Sequence, residues 1–180
     1  MSMFFRLFNS AKRKLGTEAG NASVEFMISL PVFILLFVSI FELGMAMTRL
    51  TMLEHGLDMA MRDIRLGTGE EVTHDDIRDQ ICEEASILND CQATLNVEMV
   101  TIATDTWTMP GEFASCVDRA NDAIPVTAFE NGRQNDIMFI RACYVVDPLF
   151  PTMGLGAFLE TDESGGMHLV ASSAFSQEPQ

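Results

Sequence analysis

One uninterrupted apolar run constrains this chain more than any other feature. Residues 26–47 read FMISLPVFILLFVSIFELGMAM, a run of 22 residues in which Glu42 is the single charge. As a helix the run covers about 33 Å, against about 30 Å for the hydrocarbon core of a bilayer. A cleaved secretory signal has an apolar stretch of only about 7–15 residues, followed by small residues at the cut site. Here the run is longer and passes into a continuing helical pattern. It therefore reads as a retained transmembrane helix.

Charge gives that helix a direction. Residues 1–20 carry Arg6, Lys12, Arg13 and Lys14 against Glu18, while the remainder carries 7 basic and 25 acidic residues. A leader of net +3 before the span and a tail of net −18 after it place the N-terminus in the cytoplasm and the acidic part outside. No lysine follows Lys14. A tail this acidic lacks the cations that neutralise phosphates, which excludes nucleic acid as a partner and disfavours binding to anionic headgroups.

All four cysteines, Cys82, Cys91, Cys116 and Cys143, lie in the exported part. An even number in an oxidising compartment points to two disulfides, for which three pairings exist. The short spacing across Asn89-Asp90 favours Cys82 with Cys91, leaving Cys116 for Cys143. No CxxC occurs and His55, His74 and His168 are scattered, so no metal site is expected.

Beyond the span the helical pattern persists. Leu43, Ala46, Leu50, Leu53, Leu57, Ala60 and Ile64 advance in alternating steps of three and four, the spacing of a packing seam. With Arg62 and Arg65 in a last turn that suits cations, one helix is expected from near Ala22 to Leu66, its seam laid mostly on its own domain. Thr73 then caps a second helix, with Asp75 and Asp76 in its first turn and Ile77, Ile81, Ala85 and Leu88 on one face. Strands are expected over residues 94–104, 137–146 and 167–175, the second apolar on both faces as a central strand is. The intervening segment, 105–136, is expected to hold a short helix near residues 113–120 and otherwise loops.

The expected fold is thus α+β. A long transmembrane helix continues into a small extracytoplasmic domain with a three- or four-stranded antiparallel sheet. The division is a basic cytoplasmic leader at 1–20, open to removal, the span at 21–47, and the extracytoplasmic helix with its α+β domain at 48–180.

The most specific local pattern is Gly20-Asn21-Ala22-Ser23-Val24-Glu25-Phe26 at the entrance to the span. A carboxylate there is costly unless answered by a cation, at about 2.5–3.5 kcal/mol at the bilayer centre and less near its edge. The helix dipole offers Glu25 one answer. A cut after Gly20 offers another, because the new α-amine of one subunit reaches Glu25 of the next. This arrangement resembles the type IV pilin-like proteins. More closely, the stretch from Ala19 to Gly44 resembles the TadE/TadG-like family of tight-adherence (Flp-type) pilus assembly proteins. The matching features are Gly20, Val24-Glu25-Phe26, Pro31 within the span and Phe41-Glu42-Leu43-Gly44 near its end; Tyr144, Pro148 and Glu178-Pro179 add a lesser likeness.

The resemblance implies a minor pseudopilin of the TadE or TadF type, since the chain lacks room for the large added domain of TadG proteins. Gly20 would end the leader, Asn21 would become the N-terminus, and Glu25, Phe26, Pro31 and Glu42 would serve assembly. The implied setting is the bacterial inner membrane, crossed once, with a periplasmic C-terminal domain. Implied partners are other pilins or pseudopilins, inner-membrane pilus assembly proteins, a prepilin peptidase and inner-membrane lipid. An uncleaved bitopic scaffold that binds envelope machinery is the alternative. Glu42 itself reads as a residue at the outer headgroups, or else as a contact to another membrane helix. No GxSxG, HExxH or P-loop occurs, and adjacent acidic pairs on a helix do not face each other, so neither catalytic residues nor cofactors are expected. The Asp162-Glu163 turn reads as solvated rather than as a calcium site.

Overall fold

A computed structural model describes residues 22–66, 72–107, 111, 113–120 and 127–177. Gly20, Asn21, Glu178 and Pro179, singled out above, lie outside them. Helix α1 (Ala22–Leu66) runs 45 residues without interruption. Its two halves live in different surroundings. In the first, Phe33 and Phe37 are 68% and 69% exposed; in the second, Leu53, Leu57 and Ala60 are at most 2% exposed. The seam is therefore used from Ala46 onward, with Ala46 and Ile64 partly buried at its ends, while Leu43 stays exposed.

Helix α2 (His74–Glu84) starts at a reciprocal cap: Asp76 N–H donates to Thr73 Oγ1 at 3.3 Å, and Thr73 N–H to Asp76 Oδ2 at 3.0 Å. Those bonds satisfy two donors that the first turn leaves open. The helix buries Ile77 and Ile81 and crosses α1 at Gly56. A Cβ at Gly56 would stand 2.8 Å from the Ile81 carbonyl oxygen, so only glycine permits this approach. A single helical turn, α3 (Cys91–Thr94), leads into the sheet.

Strands β1 (Leu95–Ile102), β2 (Ile137–Val146) and β3 (Met167–Ser176) form one antiparallel sheet in the order β1-β2-β3. Register assigns the faces. Leu95 stands opposite Tyr144 and Tyr144 opposite Leu169; the next inward row is Val97, Ala142 and Ala171. These rows meet Leu53, Leu57, Ala60, Ile77 and Ile81 in one core. Tyr144, 1% exposed, donates its hydroxyl to the Asn89 carbonyl at 2.9 Å, and burial, the leading cause, pushes its phenol up from the ordinary value.

The opposite face departs from a plain two-layer sandwich. Glu98 pairs across the strands with Arg141, and Asn96 with Cys143. Residues 111 and 113–120 lie over them without forming the short helix expected there. The reason is where this segment's carbonyls go: Arg141 takes those of Gly111 and Phe113, both at 2.9 Å, and Asn96 Nδ2 takes that of Ser115 at 2.7 Å. These long-range bonds hold the segment extended over the sheet in place of helical turns. The outer edge of β1 is paired in turn, with Met99 N–H donating to Ala128 O at 3.1 Å and Glu130 N–H to Met99 O at 2.9 Å, which blunts an otherwise open edge.

Two disulfides join Cys82 to Cys91 and Cys116 to Cys143, over sequence separations of 9 and 27. The first ties α2 to the entry of β1; the second ties the covering segment to β2. By loop-closure entropy they stabilise the fold by about 2.5 and 3.5 kcal/mol respectively. Replacing the second pair by alanine is therefore expected to lower the denaturant midpoint more than replacing the first, read in parallel unfolding curves. The reverse order would show that strain or unfolded-state structure outweighs loop length.

Candidate functional site

The residues singled out at the membrane entrance lie along the bare half of α1. Glu25 occupies the first turn with its side chain exposed, where the amide dipoles favour a carboxylate. Phe26 beside it is 59% exposed. Pro31 sits inside the helix and lacks the N–H that would reach the carbonyl four residues back. Two turns of α1 here present apolar side chains that the described residues leave uncovered.

Glu42 is different, and the expectation of a headgroup-exposed or neighbour-seeking carboxyl does not hold. It is 1% exposed. Its Oε1 accepts the Leu149 N–H at 3.0 Å and its Oε2 the Phe150 N–H at 2.9 Å. Three residues earlier, Ser39 Oγ donates to Leu35 O at 2.8 Å and accepts the Leu155 N–H at 3.1 Å. The loop after β2 thus folds down beside the apolar half of α1, clamped at two levels. Phe150 meets Phe41 edge-on with ring centroids 6.5 Å apart, and a 3-10 turn (Gly156–Phe158) closes the loop. Gly154 lies at φ +58°, and a Cβ there would come within 2.7 Å of Ser39 Oγ, so backbone conformation and proximity both require glycine.

Ser39 and the loop that covers Glu42 were not singled out from the sequence; the signal available was a run of twelve uncharged residues, 148–159, in an otherwise acidic domain. A second unforeseen feature lies two turns beyond Glu42. Arg49 is 6% exposed, and its buried Nη1 has no hydrogen-bond partner among the described residues.

Residues 20–62 match the family model described as TadE-like protein. That stretch, 43 of the chain's 180 residues, is similar to TadE-like proteins. The match includes Glu25, Pro31, Ser39, Glu42 and Arg49, and spans both the bare and the covered half of α1. It ends before α2 and the sheet. Such a segment supports a part in tight-adherence pilus assembly. No curated protein and no solved structure matches the chain. By length and composition, α1 is able to cross a membrane.

At the far end of the loop, Asp162 organises the turn into β3. Burial raises its carboxyl, but bonds from Ser164 Oγ, the Gly166 and Ser164 amides and the His168 ring outweigh that and hold it at about 2. A depressed folded-state value means the stabilisation is complete above the unfolded value of about 3.9 and is lost as pH falls through about 2. Protection of the Ser164 and Gly166 amides, relative to free amides at the same pH, is therefore expected to fall across that acidic window in wild type and to be low and flat in Asp162→Asn. An unchanged wild-type profile would refute the assignment.

Proposed function

We propose that this chain is a minor pseudopilin-like component of a tight-adherence (Flp-type) pilus assembly or secretion system, acting as a structural part and not as an enzyme. In this reading α1 anchors the chain in the inner membrane, the basic leader faces the cytoplasm and the sheet domain stands in the periplasm. A prepilin peptidase cuts between Gly20 and Asn21, and the new amine pairs with Glu25 of an adjoining pilin or pseudopilin. The observation that carries the reading is the coincidence of the TadE-like match with a helix whose first half is bare and apolar. A helix left uncovered by its own domain demands other covering, and lipid together with neighbouring helices supplies it.

Intact mass of membrane-extracted protein tests it. The chain is expected to begin at Asn21 in cells holding the peptidase and to keep the leader in cells without it. A retained leader in both would overturn the pseudopilin reading and leave an uncleaved bitopic scaffold bound to envelope machinery. Glu25→Ala is expected to be inserted and cut normally yet to abolish incorporation into the assembly, read by cross-linking to other pilus components. Incorporation at wild-type levels would remove Glu25 from the mechanism.

A further inference from the structure

We infer that the loop of residues 148–159 is itself a membrane-embedded element, lying in the leaflet on the domain's side with its outer surface against lipid acyl chains. The inference rests on the reading of α1 as a membrane span.

Depth comes first. If the hydrocarbon begins at Phe26, just past Glu25, a core of about 30 Å takes up about 20 residues and ends near Met45. Ser39 then lies about 9 Å beneath the domain-side boundary, and Glu42 about 4.5 Å beneath it. Both grip the loop directly. The groove between loop and helix is lined by Leu35, Leu36 and Leu43 on one side and Met153, Leu155 and Phe158 on the other. A loop held at that depth cannot stand in water.

Composition agrees. Asp147 and Glu160 bracket twelve residues, PLFPTMGLGAFL, without a charge, in a chain of net charge −15. The loop leaves Leu149 (40% exposed), Met153 (42%) and Phe158 (86%) open on its surface. An exposed phenylalanine in a periplasmic loop is a liability; facing acyl chains, it is ordinary.

The backbone agrees for the five loop amides that protein answers. Non-helical chain is tolerated at membrane depth only where its polar groups are satisfied by protein. Here Pro148 and Pro151 have no N–H to satisfy. The amides of Leu149 and Phe150 go to Glu42 and that of Leu155 to Ser39. Met153 N–H donates to Phe150 O at 3.2 Å and Phe158 N–H to Leu155 O at 2.9 Å. The carboxyl that looked misplaced in an apolar helix is thus the acceptor that lets a loop enter the bilayer. Being uncharged, the loop enters without the headgroup attraction that the acidic domain lacks.

Depth-dependent quenching on the full chain, reconstituted in phosphatidylethanolamine–phosphatidylglycerol vesicles, tests this. Trp107, the sole tryptophan, is replaced by Phe, and single probes are introduced as Phe158→Trp, Met153→Trp and, in the span, Phe37→Trp. Formation of both disulfides, read by mass, shows that each variant has folded. The expected result is that all three probes lose emission to lipids brominated in mid-chain and resist aqueous acrylamide. Quenching of Phe37→Trp by lipid with both loop probes quenched by acrylamide would overturn the embedded loop while leaving the span intact. Loop probes shielded from both quenchers would assign the surface to another protein and equally overturn contact with lipid. Failure of lipid to quench Phe37→Trp would overturn the span, and the loop proposal with it.

Discussion

Replacing Arg141 by methionine is expected to cost the sheet domain about 3–5 kcal/mol, the penalty for removing one partner of a buried ion pair. The side chains of Arg141 and Glu98 are only 9% and 14% exposed, and Arg141 Nη2 stands 2.7 Å from Glu98 Oε2. Arg141 Nε donates to the same oxygen at 3.2 Å, and the guanidinium lies 5.9 Å from the centre of the Phe139 ring. Its remaining donors hold the carbonyls of Gly111 and Phe113. Loss of Arg141 therefore strands a buried carboxylate and frees the segment that covers the sheet. For a domain of about a hundred residues the midpoint of thermal unfolding is expected to fall by more than about 10 °C. The double variant Glu98→Leu with Arg141→Met separates the two contributions. It is expected to recover only part of the loss, because the stranded charge is gone but the two carbonyls still lack their donor. A single variant that melts with the wild type would refute the role; full recovery in the double variant would reduce Arg141 to a charge partner.

That pair also marks the limit of what the sequence could disclose. Everything set by local periodicity was legible: α1 from Ala22 to Leu66, the Thr73 cap, the three strands to within two residues at their ends, and the half of the seam that packs. The cysteine pairing that follows from spacing is the one the structure forms. Arg141, by contrast, interrupts a strand read as apolar on both faces, and nothing local says that Glu98, 43 residues away, would face it. The helix expected over 113–120 failed for the same reason, since its carbonyls answer side chains on strands far off in sequence. Helical propensity is a small local bias, and two buried donors outweigh it.

The membrane entrance was legible in another way. Glu25 and Pro31 stand in the pattern that matches the TadE-like model, and both are exposed where the described residues leave the helix bare. Glu42 stands in the same pattern yet faces inward. Its partners are 107 and 108 residues further along, so no window of sequence holds both halves of the contact. One matched segment thus carries carboxyls in opposite surroundings: Glu25 is exposed among the described residues, and Glu42 is held by its own chain.

Glu42→Ala is accordingly expected to leave membrane insertion of α1 intact while releasing the loop of residues 148–159. The substitution strands the Leu149 and Phe150 amides, and each buried donor without a partner costs about 1–3 kcal/mol, or roughly 2–6 kcal/mol for both. In hydrocarbon the cost falls toward the upper end, since no water replaces the lost acceptor. The expected observables are fast amide exchange confined to the loop and protease cleavage there, with both disulfides and the sheet retained. Glu42→Gln discriminates the mechanism. Its amide oxygen can still accept one N–H, so it is expected to recover about half of the protection, whereas a residue needed only for its charge would recover none. Slow exchange at Leu149 and Phe150 in Glu42→Ala would mean that the loop is held by its apolar contacts to α1 alone. The hydrogen bonds also predict an order of loss: of the loop's acceptors Ser39→Ala removes the one for Leu155 and leaves Glu42, so it should loosen the loop's far end while Leu149 and Phe150 stay protected.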